Sequence, residues 1–312
     1  MRLNKTLTLA ATILTIAIAL VALSYEPDLP FEQLKASYAN TSSKFMEVDN
    51  MQVHYRIEGN GPPLLLIHGT GAMLQTYDEW TKILSPHYTV IRMDIPAFGL
   101  TGPRGDGNYS DTMYVSFINQ FVNKLGIDSF CVAGNSLGGL IAWKYTVAFP
   151  GKVKKLILID PAGFYELNLA KGSFVFNLAR NHPNITKWVS KIGTHHIIKH
   201  TLNEVFYDDT KVTAEKLKTY TELNQRTGNR DAFADRAQFV YQSTDKELTT
   251  ISCPTLILWG KEDVLINVGE AEHFKNISNS SFIFYDKIGH IPQEENSEKS
   301  AADVLAFLKR ES

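Results

Sequence analysis

The chain has 312 residues, of which 44% are hydrophobic, so it is long enough to bury a sizeable core. Its formal net charge of −2 gives no basic field for nucleic acid, and we predict no nucleic-acid partner. Its two cysteines, Cys131 and Cys253, lie in or beside apolar strand-like runs, which predicts two buried free thiols.

The N-terminus has the pattern of a targeting segment. Arg2 and Lys5 precede residues 7–23, an apolar run without charge. A positive start before such a run indicates a signal peptide or an uncleaved membrane anchor. The run is near the lower limit of about 17 residues for a spanning helix, and Ser24 ends a small-residue pattern that suits cleavage. We therefore predict export, with residues 1–24 either anchored in the membrane or removed to give a periplasmic or secreted protein.

The next segment, residues 25–43, is polar with two prolines and predicts a linker. Residues 46–57 alternate weakly around Asp49-Asn50, which predicts a hairpin. Apolar strand-like and helix-like runs then alternate, which predicts a mostly parallel sheet with helices on both faces. The predicted strands are 64–67, 88–93, 129–133 and 155–159, and the predicted helices are 78–84, 111–125 and 140–149.

The pattern changes after residue 160. Residues 161–250 show no strong strand, and their helix-like runs are 174–180, 187–198, 214–226 and 231–241. We predict a helical cap inserted over the carboxyl ends of the strands. Strand-like runs resume at 255–259 and 281–285, before a final helix at 297–309, so the core comprises residues 44–160 and 251–312. Four aromatic residues of the cap could line a pocket or form its own small core: Phe164, Phe174, Phe176 and Trp188.

A serine between glycines is the main chemical signal in the chain. Ser136 lies in Gly-Asn-Ser-Leu-Gly, between an apolar strand and a helix-like run. This is the sequence form of a nucleophile elbow, in which Gly134 and Gly138 allow the strand and the helix to approach closely. A serine hydroxyl needs a histidine to take its proton and an acid to orient that histidine.

Candidates for both partners follow later strands. Asp263 comes after the strand 255–259, and His290 comes after the strand 281–285. Asp160 and Asp94 also end strands, so the position of the acid stays open between three carboxylates, with Asp263 preferred. We expect Asp94 to accept backbone hydrogen bonds in the loop that follows it.

Acyl transfer also needs N–H donors for the negative charge that develops on the carbonyl oxygen. The backbone N–H of Leu137, which follows the serine, is one candidate. The N–H of Thr70 is the other, because it lies in a His-Gly-Thr-Gly loop directly after the strand 64–67. We therefore predict Ser136, Asp263 and His290 as catalytic residues and Thr70 and Leu137 as the oxyanion hole.

Together these pieces resemble the α/β-hydrolase superfamily over roughly residues 45–310. The matching segments are HGTGA (68–72), DIPAFGLTG (94–102), GNSLGG (134–139), LILIDPAG (156–163), LWGKEDVLIN (258–267) and IGHIPQEE (288–295). The resemblance implies the α/β-hydrolase fold, an α/β class fold with an inserted helical cap. It also implies the chain order serine, acid, histidine and a structural role for His68, which holds the oxyanion loop.

The resemblance narrows the chemistry less than the fold. A carboxylesterase-like serine hydrolase acting on a small or medium carboxylic ester is the predicted function, with no cofactor. Asn135 is similar to the elbow of meta-cleavage carbon–carbon hydrolases, although Thr70 interrupts the glycine run of those enzymes. Relatives that cleave epoxides or haloalkanes carry an aspartate at the elbow, which Ser136 argues against. A third alternative is a non-catalytic ligand-binding protein on the same fold.

A metal site is not predicted. His195, His196 and His200 have helical spacing, but no nearby carboxylate or cysteine joins them. The expected partners are a small-molecule ester and, through the N-terminal segment, a membrane. The sequence leaves the oligomeric state unknown.

Overall fold

The structure is a computed structural model that describes residues 2–164, 174–239, 241 and 243–310, without the side chains of residues 2–5, 17 and 174. The strands are β1 (Ser43–Val48), β2 (Met51–Glu58), β3 (Pro63–Ile67), β4 (Thr89–Met93), β5 (Phe130–Asn135), β6 (Val153–Ile159), β7 (Thr255–Gly260) and β8 (Ser280–Tyr285). The helices before β6 are α1 (Arg2–Leu23), α2 (Phe31–Tyr38), α3 (Asp78–Leu84), α4 (Asp111–Lys124) and α5 (Leu137–Ala148). Those between β6 and β7 are α6 (Phe174–Asn181), α7 (Pro183–Val189), α8 (Thr194–Val205), α9 (Ala214–Asn224), α10 (Asn229–Arg236) and α11 (Asp245–Leu248). The last are α12 (Ala271–Phe274), α13 (Pro292–Glu295) and α14 (Ser297–Leu308).

These strands form one sheet in the order β1-β2-β4-β3-β5-β6-β7-β8. Strand β2 pairs antiparallel with β1 and β4, and the pairs from β4 through β8 are parallel. The predicted hairpin joins β1 to β2 through Asp49 and Asn50, whose φ angles are 50° and 59°. Positive φ at both residues is typical of a type I′ turn, which matches the twist of the two strands.

The inner strands are apolar on both faces because helices cover the sheet on each side. Every residue of β5 and β7 is buried. One core cluster includes Phe117 of α4 and Trp143 of α5, and a second includes Trp80 of α3 and Val304 of α14. The prediction of a mostly parallel α/β sheet is confirmed.

The described residues between β6 and β7 are largely helical, and we call α6–α11 the cap helices. The predicted helix over 187–198 is wrong in its extent, because Gly193 adopts a left-handed φ of 64° and separates α7 from α8. Helix α10 ends at Arg236, earlier than the predicted residue 241. The side chain of Phe174, one of the predicted pocket aromatics, lies outside the described part of the chain.

The predicted linker contains a helix. Residues 31–38 form α2, and Leu34 is only 1% exposed because it packs in a cluster with cap residues such as Leu202 and Leu223. The polar composition of the segment does not indicate this helix, because only Leu34 and the flanking aromatic residues make its buried contacts. The segment before it, which includes Tyr25 and Glu26, also bonds to the turn between α7 and α8.

Helix α1 lies outside the packed body. Its window Thr6–Leu23 has a mean hydropathy of 2.4, and none of that window is buried. With 22 residues at about 1.5 Å each, it is roughly 33 Å long, enough to cross a bilayer core of about 30 Å. By length and composition α1 is a candidate membrane span, although a signal sequence can have the same length and composition.

Candidate active site

Ser136 occupies the turn between β5 and α5, where the sequence predicts an elbow. Its φ of 54° and ψ of −117° form a strained conformation for a residue with a side chain. Glycine is required on both sides of it. A Cβ on Gly134 would lie 2.1 Å from the carbonyl oxygen of Gly138, and one on Gly138 would lie 2.1 Å from that of Ile67. The close approach of strand and helix thus fixes the serine at the carboxyl end of the sheet.

The structure brings His290 and Asp263 into direct contact. His290 Nδ1 lies 2.6 Å from Asp263 Oδ2, and both side chains are almost fully buried. The other carboxylate oxygen, Oδ1, accepts the backbone N–H groups of Leu265 at 2.7 Å and Ile266 at 3.0 Å. The carboxylate is therefore held on both oxygens, and it orients the imidazole with its proton on Nδ1.

Asp160, the rival acid, lies beside this pair and does not bond to the histidine. It ends β6 with a φ of 43°, and its Oδ1 accepts the N–H of Gly260 at 2.9 Å. Its Oδ2 is buried without a hydrogen-bond partner among the described atoms. Burial and then the negative charge of Asp263 raise the pKa of Asp160 well above its ordinary value, which favours the neutral carboxyl.

Asp160, Asp263 and His290 could each offer one ligand atom to a metal, with these atoms within 4.8 Å of one another. An ion does not fit between His290 Nδ1 and Asp263 Oδ2. Metal–ligand bonds of about 2.0–2.2 Å hold two ligand atoms roughly 3 Å or more apart, and these two lie 2.6 Å apart. Their contact is that of a hydrogen bond.

The loop after β3 faces the elbow. A Cβ on Gly69 would meet the Ser136 Cβ at 3.1 Å, so the loop passes directly over the serine. His68 holds this loop: its Nδ1 donates to the Gly69 carbonyl at 2.8 Å, and its Nε2 accepts the N–H of Ile95 at 3.1 Å. Burial lowers the pKa of His68, which keeps the ring in the neutral form that these bonds need. Thr70 is thereby placed beside the elbow.

Asp94 has the structural role that the sequence predicts. Its oxygens accept the N–H groups of Leu74 and Leu100, each at 2.8 Å, and its Oδ2 also lies 2.7 Å from His54 Nδ1. Burial would raise the pKa of Asp94, but the His54 charge and these hydrogen bonds outweigh it and lower that pKa. Asp94 therefore joins the loops beside the site and does not contact His290.

Three polar side chains support the site in ways that the sequence reasoning missed. Asn135 Nδ2 donates to the carbonyl oxygen of His290 at 3.0 Å, which ties the elbow to the histidine loop. Glu295 accepts the N–H of Gly289 at 2.7 Å, and Asn224 of α9 donates to the carbonyl oxygen of Gly71 at 3.0 Å. Each bond joins groups whose pairing no local sequence pattern signals.

All five predicted site residues line one cavity of about 1220 Å³, and Asp160 lies outside that lining. These five residues are Thr70, Ser136, Leu137, Asp263 and His290. Helix α5 begins at Leu137, so its N–H is among the first-turn groups that have no partner within the helix. The cap side contributes apolar side chains, namely Val175, Phe176, Ile197, Ile198, Phe233 and Phe239, and also three arginines, Arg180, Arg230 and Arg236. Phe164 and Phe176 thus line the cavity, whereas Trp188 is 74% exposed and lies outside its lining.

Comparison with known proteins supports the resemblance that the sequence motifs indicate. The family model described as alpha/beta hydrolase fold matches residues 62–297. The chain is 26% identical over 279 residues to a 2-hydroxy-6-oxo-6-(2'-aminophenyl)hexa-2,4-dienoic acid hydrolase of Metapseudomonas resinovorans, covering 86% of this chain and 91% of that protein. It is 25% identical over 283 residues to lipase 3 of Moraxella sp. strain TA144, covering 89% and 87%.

A solved structure of a bacterial membrane phospholipase A, described as a virulence factor, superposes with a TM-score of 0.73 at 26% identity. The match covers 98% of this chain and 96% of that one, so it extends into the N-terminal helix. The sheet, the elbow and these comparisons define a hydrolase. The chain belongs to the alpha/beta hydrolase fold family.

Proposed function

We propose that the protein is a serine hydrolase that cleaves carboxylic esters through an acyl-enzyme. Ser136 attacks the carbonyl carbon, and His290 takes the serine proton and later gives it to the leaving alcohol. Asp263 holds the imidazole tautomer and stabilises the imidazolium, while the N–H groups of Leu137 and Thr70 stabilise the oxyanion. Water then hydrolyses the acyl-enzyme by the same route.

The 2.6 Å contact between His290 Nδ1 and Asp263 Oδ2 carries this proposal. Because a carboxylate only accepts hydrogen bonds, the Nδ1 proton points to Asp263 and Nε2 keeps its lone pair. That nitrogen is the one available to a serine on the same cavity wall. A non-catalytic binding protein would have no need for this buried and fully oriented pair.

The test uses a fluorophosphonate probe and the variant Ser136→Ala. The wild-type protein should label covalently, and the variant should not label and should lose roughly 10⁴–10⁶-fold in kcat. Removal of one hydroxyl from the turn should leave folding intact, which circular dichroism checks. Substantial turnover by a cleanly purified Ser136→Ala protein would refute the serine mechanism.

The cavity favours a longer acyl group than the small or medium ester predicted from the sequence. At about 1220 Å³ it exceeds the roughly 300–1,000 Å³ of most ligand pockets, and many of its lining side chains are apolar. The similarity to a lipase and to a membrane phospholipase A supports an acyl lipid as the substrate class. With p-nitrophenyl esters, kcat/KM should be higher for octanoyl or palmitoyl than for acetyl. A preference for acetyl would reject the long-chain substrate and leave the serine mechanism standing.

Carbon–carbon hydrolysis of a meta-cleavage product is the second candidate. Asn135 at the elbow and the similarity to a hexadienoic acid hydrolase favour it. The export pattern and Thr70 in the glycine run weigh against it, because ring-cleavage products are handled in the cytoplasm. Turnover of a 2-hydroxy-6-oxo-dienoate faster than any ester would replace the ester proposal.

We propose further that the protein is exported and stays anchored by α1. The uncharged window Thr6–Leu23 and the match to a membrane phospholipase A over 98% of this chain support this location. Arg2 and Lys5, which precede the apolar window Thr6–Leu23, favour an N-terminus in the cytoplasm, which places the catalytic body outside.

A further inference from the structure

We propose that the outward face of helix α7, together with Tyr25, is a membrane-contact surface that lies in the interfacial layer of the bilayer beside the end of α1. We call this set of side chains the α7 surface; it consists of Tyr25, Ile185, Trp188 and Val189. The inference rests on the proposed anchoring by α1. It adds a second contact, made by the cap helices, which fixes how the catalytic body faces the membrane.

The α7 surface is an apolar stripe turned toward solvent. Ile185, Trp188 and Val189 are at helix positions i, i+3 and i+4, so they share one face of α7. They are 52%, 74% and 38% exposed, whereas Thr186 on the other side of the helix is 3% exposed. Tyr25, 51% exposed, follows the end of α1. A soluble helix normally has the reverse arrangement, with its apolar face inward.

The α7 surface is bound to the end of the candidate membrane helix. Gly193 donates its N–H to the carbonyl oxygen of Ser24 at 2.8 Å, and Glu26 donates its N–H to that of Lys191 at 2.8 Å. Tyr25 and Ile192 form a β-bridge, and Ile192 is also bonded to Val189 at 2.9 Å. These bonds join the turn between α7 and α8 to the first residues after α1.

This link sets the depth of the surface. A helix of 22 residues just spans the hydrocarbon core, so Leu23 and Ser24 lie at the lipid–water boundary. The turn after α7 is bonded to that point, which places the α7 surface at the same boundary. Tryptophan and tyrosine are the side chains enriched at this depth, because an apolar ring and a polar N–H or O–H suit it.

The contact is apolar in character. The lysine of α7 and the lysine in the turn after it are already paired, Lys187 with Asp235 at 2.5 Å and Lys191 with Asp28 and Asp231 at 3.7 Å. Little positive charge is left for anionic headgroups along this stripe. The surface should therefore bind zwitterionic phosphatidylcholine, and high salt should not weaken the contact.

The experiment uses Trp188 as its own reporter in the full-length protein. The other three tryptophans, Trp80, Trp143 and Trp259, are 0% exposed. The protein is reconstituted into phosphatidylcholine vesicles whose acyl chains carry bromine near the headgroup. The loss of tryptophan emission should not exceed the contribution of Trp188, which is one of four tryptophans. This loss should persist at high salt. Trp188→Phe should abolish the loss and leave hydrolysis of a soluble short-chain ester unchanged.

A matched control moves the indole elsewhere. Phe284 is 42% exposed on the edge strand β8, so Phe284→Trp in the Trp188→Phe background reports casual contact of any exposed indole with lipid. Its emission should not respond to brominated lipid. Equal quenching at both positions would overturn the inference.

Three other outcomes also overturn it, and they are distinguishable. Protein that floats with the vesicles but shows no Trp188 quenching by lipid keeps the anchor and rejects the α7 surface. Trp188 shielded from both lipid and aqueous quenchers indicates that a protein surface, such as a second copy, covers it. Protein that does not float with vesicles rejects the anchor and the α7 surface together.

Discussion

Replacement of Asp263 by asparagine should inactivate the enzyme through the histidine tautomer. Oδ1 accepts two backbone N–H groups, from Leu265 and Ile266, so the amide oxygen of the introduced asparagine must take that position. The amide NH₂ then faces His290 Nδ1 and donates to it, which moves the ring proton to Nε2. An imidazole protonated there cannot take the proton of Ser136. By analogy with the same change in a serine protease, kcat should fall roughly 10²–10⁴-fold. This corresponds to about 3–5 kcal/mol of barrier.

The matched variant is Asp160→Asn, which changes a neighbouring buried carboxyl in the same way. Its amide oxygen can keep the bond from the Gly260 N–H, and its NH₂ resembles the neutral carboxyl that burial favours. Because Asp160 neither contacts His290 nor lines the cavity, kcat should fall about tenfold or less, well below the triad effect. Both variants are assayed side by side on one p-nitrophenyl ester, with circular dichroism to check folding. A dead Asp160→Asn and an active Asp263→Asn would refute the assignment of the acid.

Three further changes test the framework around the site. Gly138→Ala should lower the free energy of unfolding by about 1–3 kcal/mol in a urea titration, because the new Cβ would meet a backbone carbonyl. The control is Gly151→Ala, whose Cβ would have no atom within 4 Å. Equal effects of the two substitutions would contradict the packing argument. Asp160→Asn should also flatten the dependence of stability on pH. Because the pKa of Asp160 is raised in the native state, the native protein keeps a proton that the unfolded chain releases near pH 3.8. The stability of the wild type therefore falls as pH rises from about 4 toward the native pKa of Asp160. Urea midpoints at about pH 5 and about pH 8 measure this, and a variant as pH-sensitive as the wild type would count against a buried neutral carboxyl. Deletion through Ser24 should give a soluble, active protein, since none of the window Thr6–Leu23 is buried in the packed body. An inactive or insoluble product would show that α1 is part of the fold.

The residues that end parallel strands could be predicted from the sequence, because each follows an apolar run of strand length. Ser136, Asp263 and His290 all have this property, and a parallel sheet brings such ends to one edge. The same rule could not separate Asp160 from Asp263. Both follow adjacent strands, and only the direction of each carboxylate shows that Asp263 alone bonds to the histidine.

Two supports of the site could not be predicted, because they join segments that are distant in the chain. The bond from Asn135 to the carbonyl of His290 spans 155 positions, and that from Asn224 to Gly71 spans 153. Composition misled in the segment 25–43, where polar residues hid a helix that is stabilised by burial of Leu34 against the cap helices. Helices of about eight residues depend on such tertiary contacts more than on their own propensity.

The cap helices contact both the proposed chemistry and the proposed anchor. Asn224 of α9 bonds to Gly71 in the loop after β3, and the adjacent Gln225 bonds to Glu26, which follows α1. The carbonyl oxygen of Val205 in α8 accepts the backbone N–H of His290 at 2.8 Å. A displacement of the cap away from the membrane end would therefore strain the loops that hold Thr70 and His290. Since the segment after α1 is bonded to these helices, a bilayer that fixes α1 and the α7 surface also restrains the cap helices. Substitutions in the α7 surface should therefore change activity on lipid and leave the turnover of soluble esters unchanged.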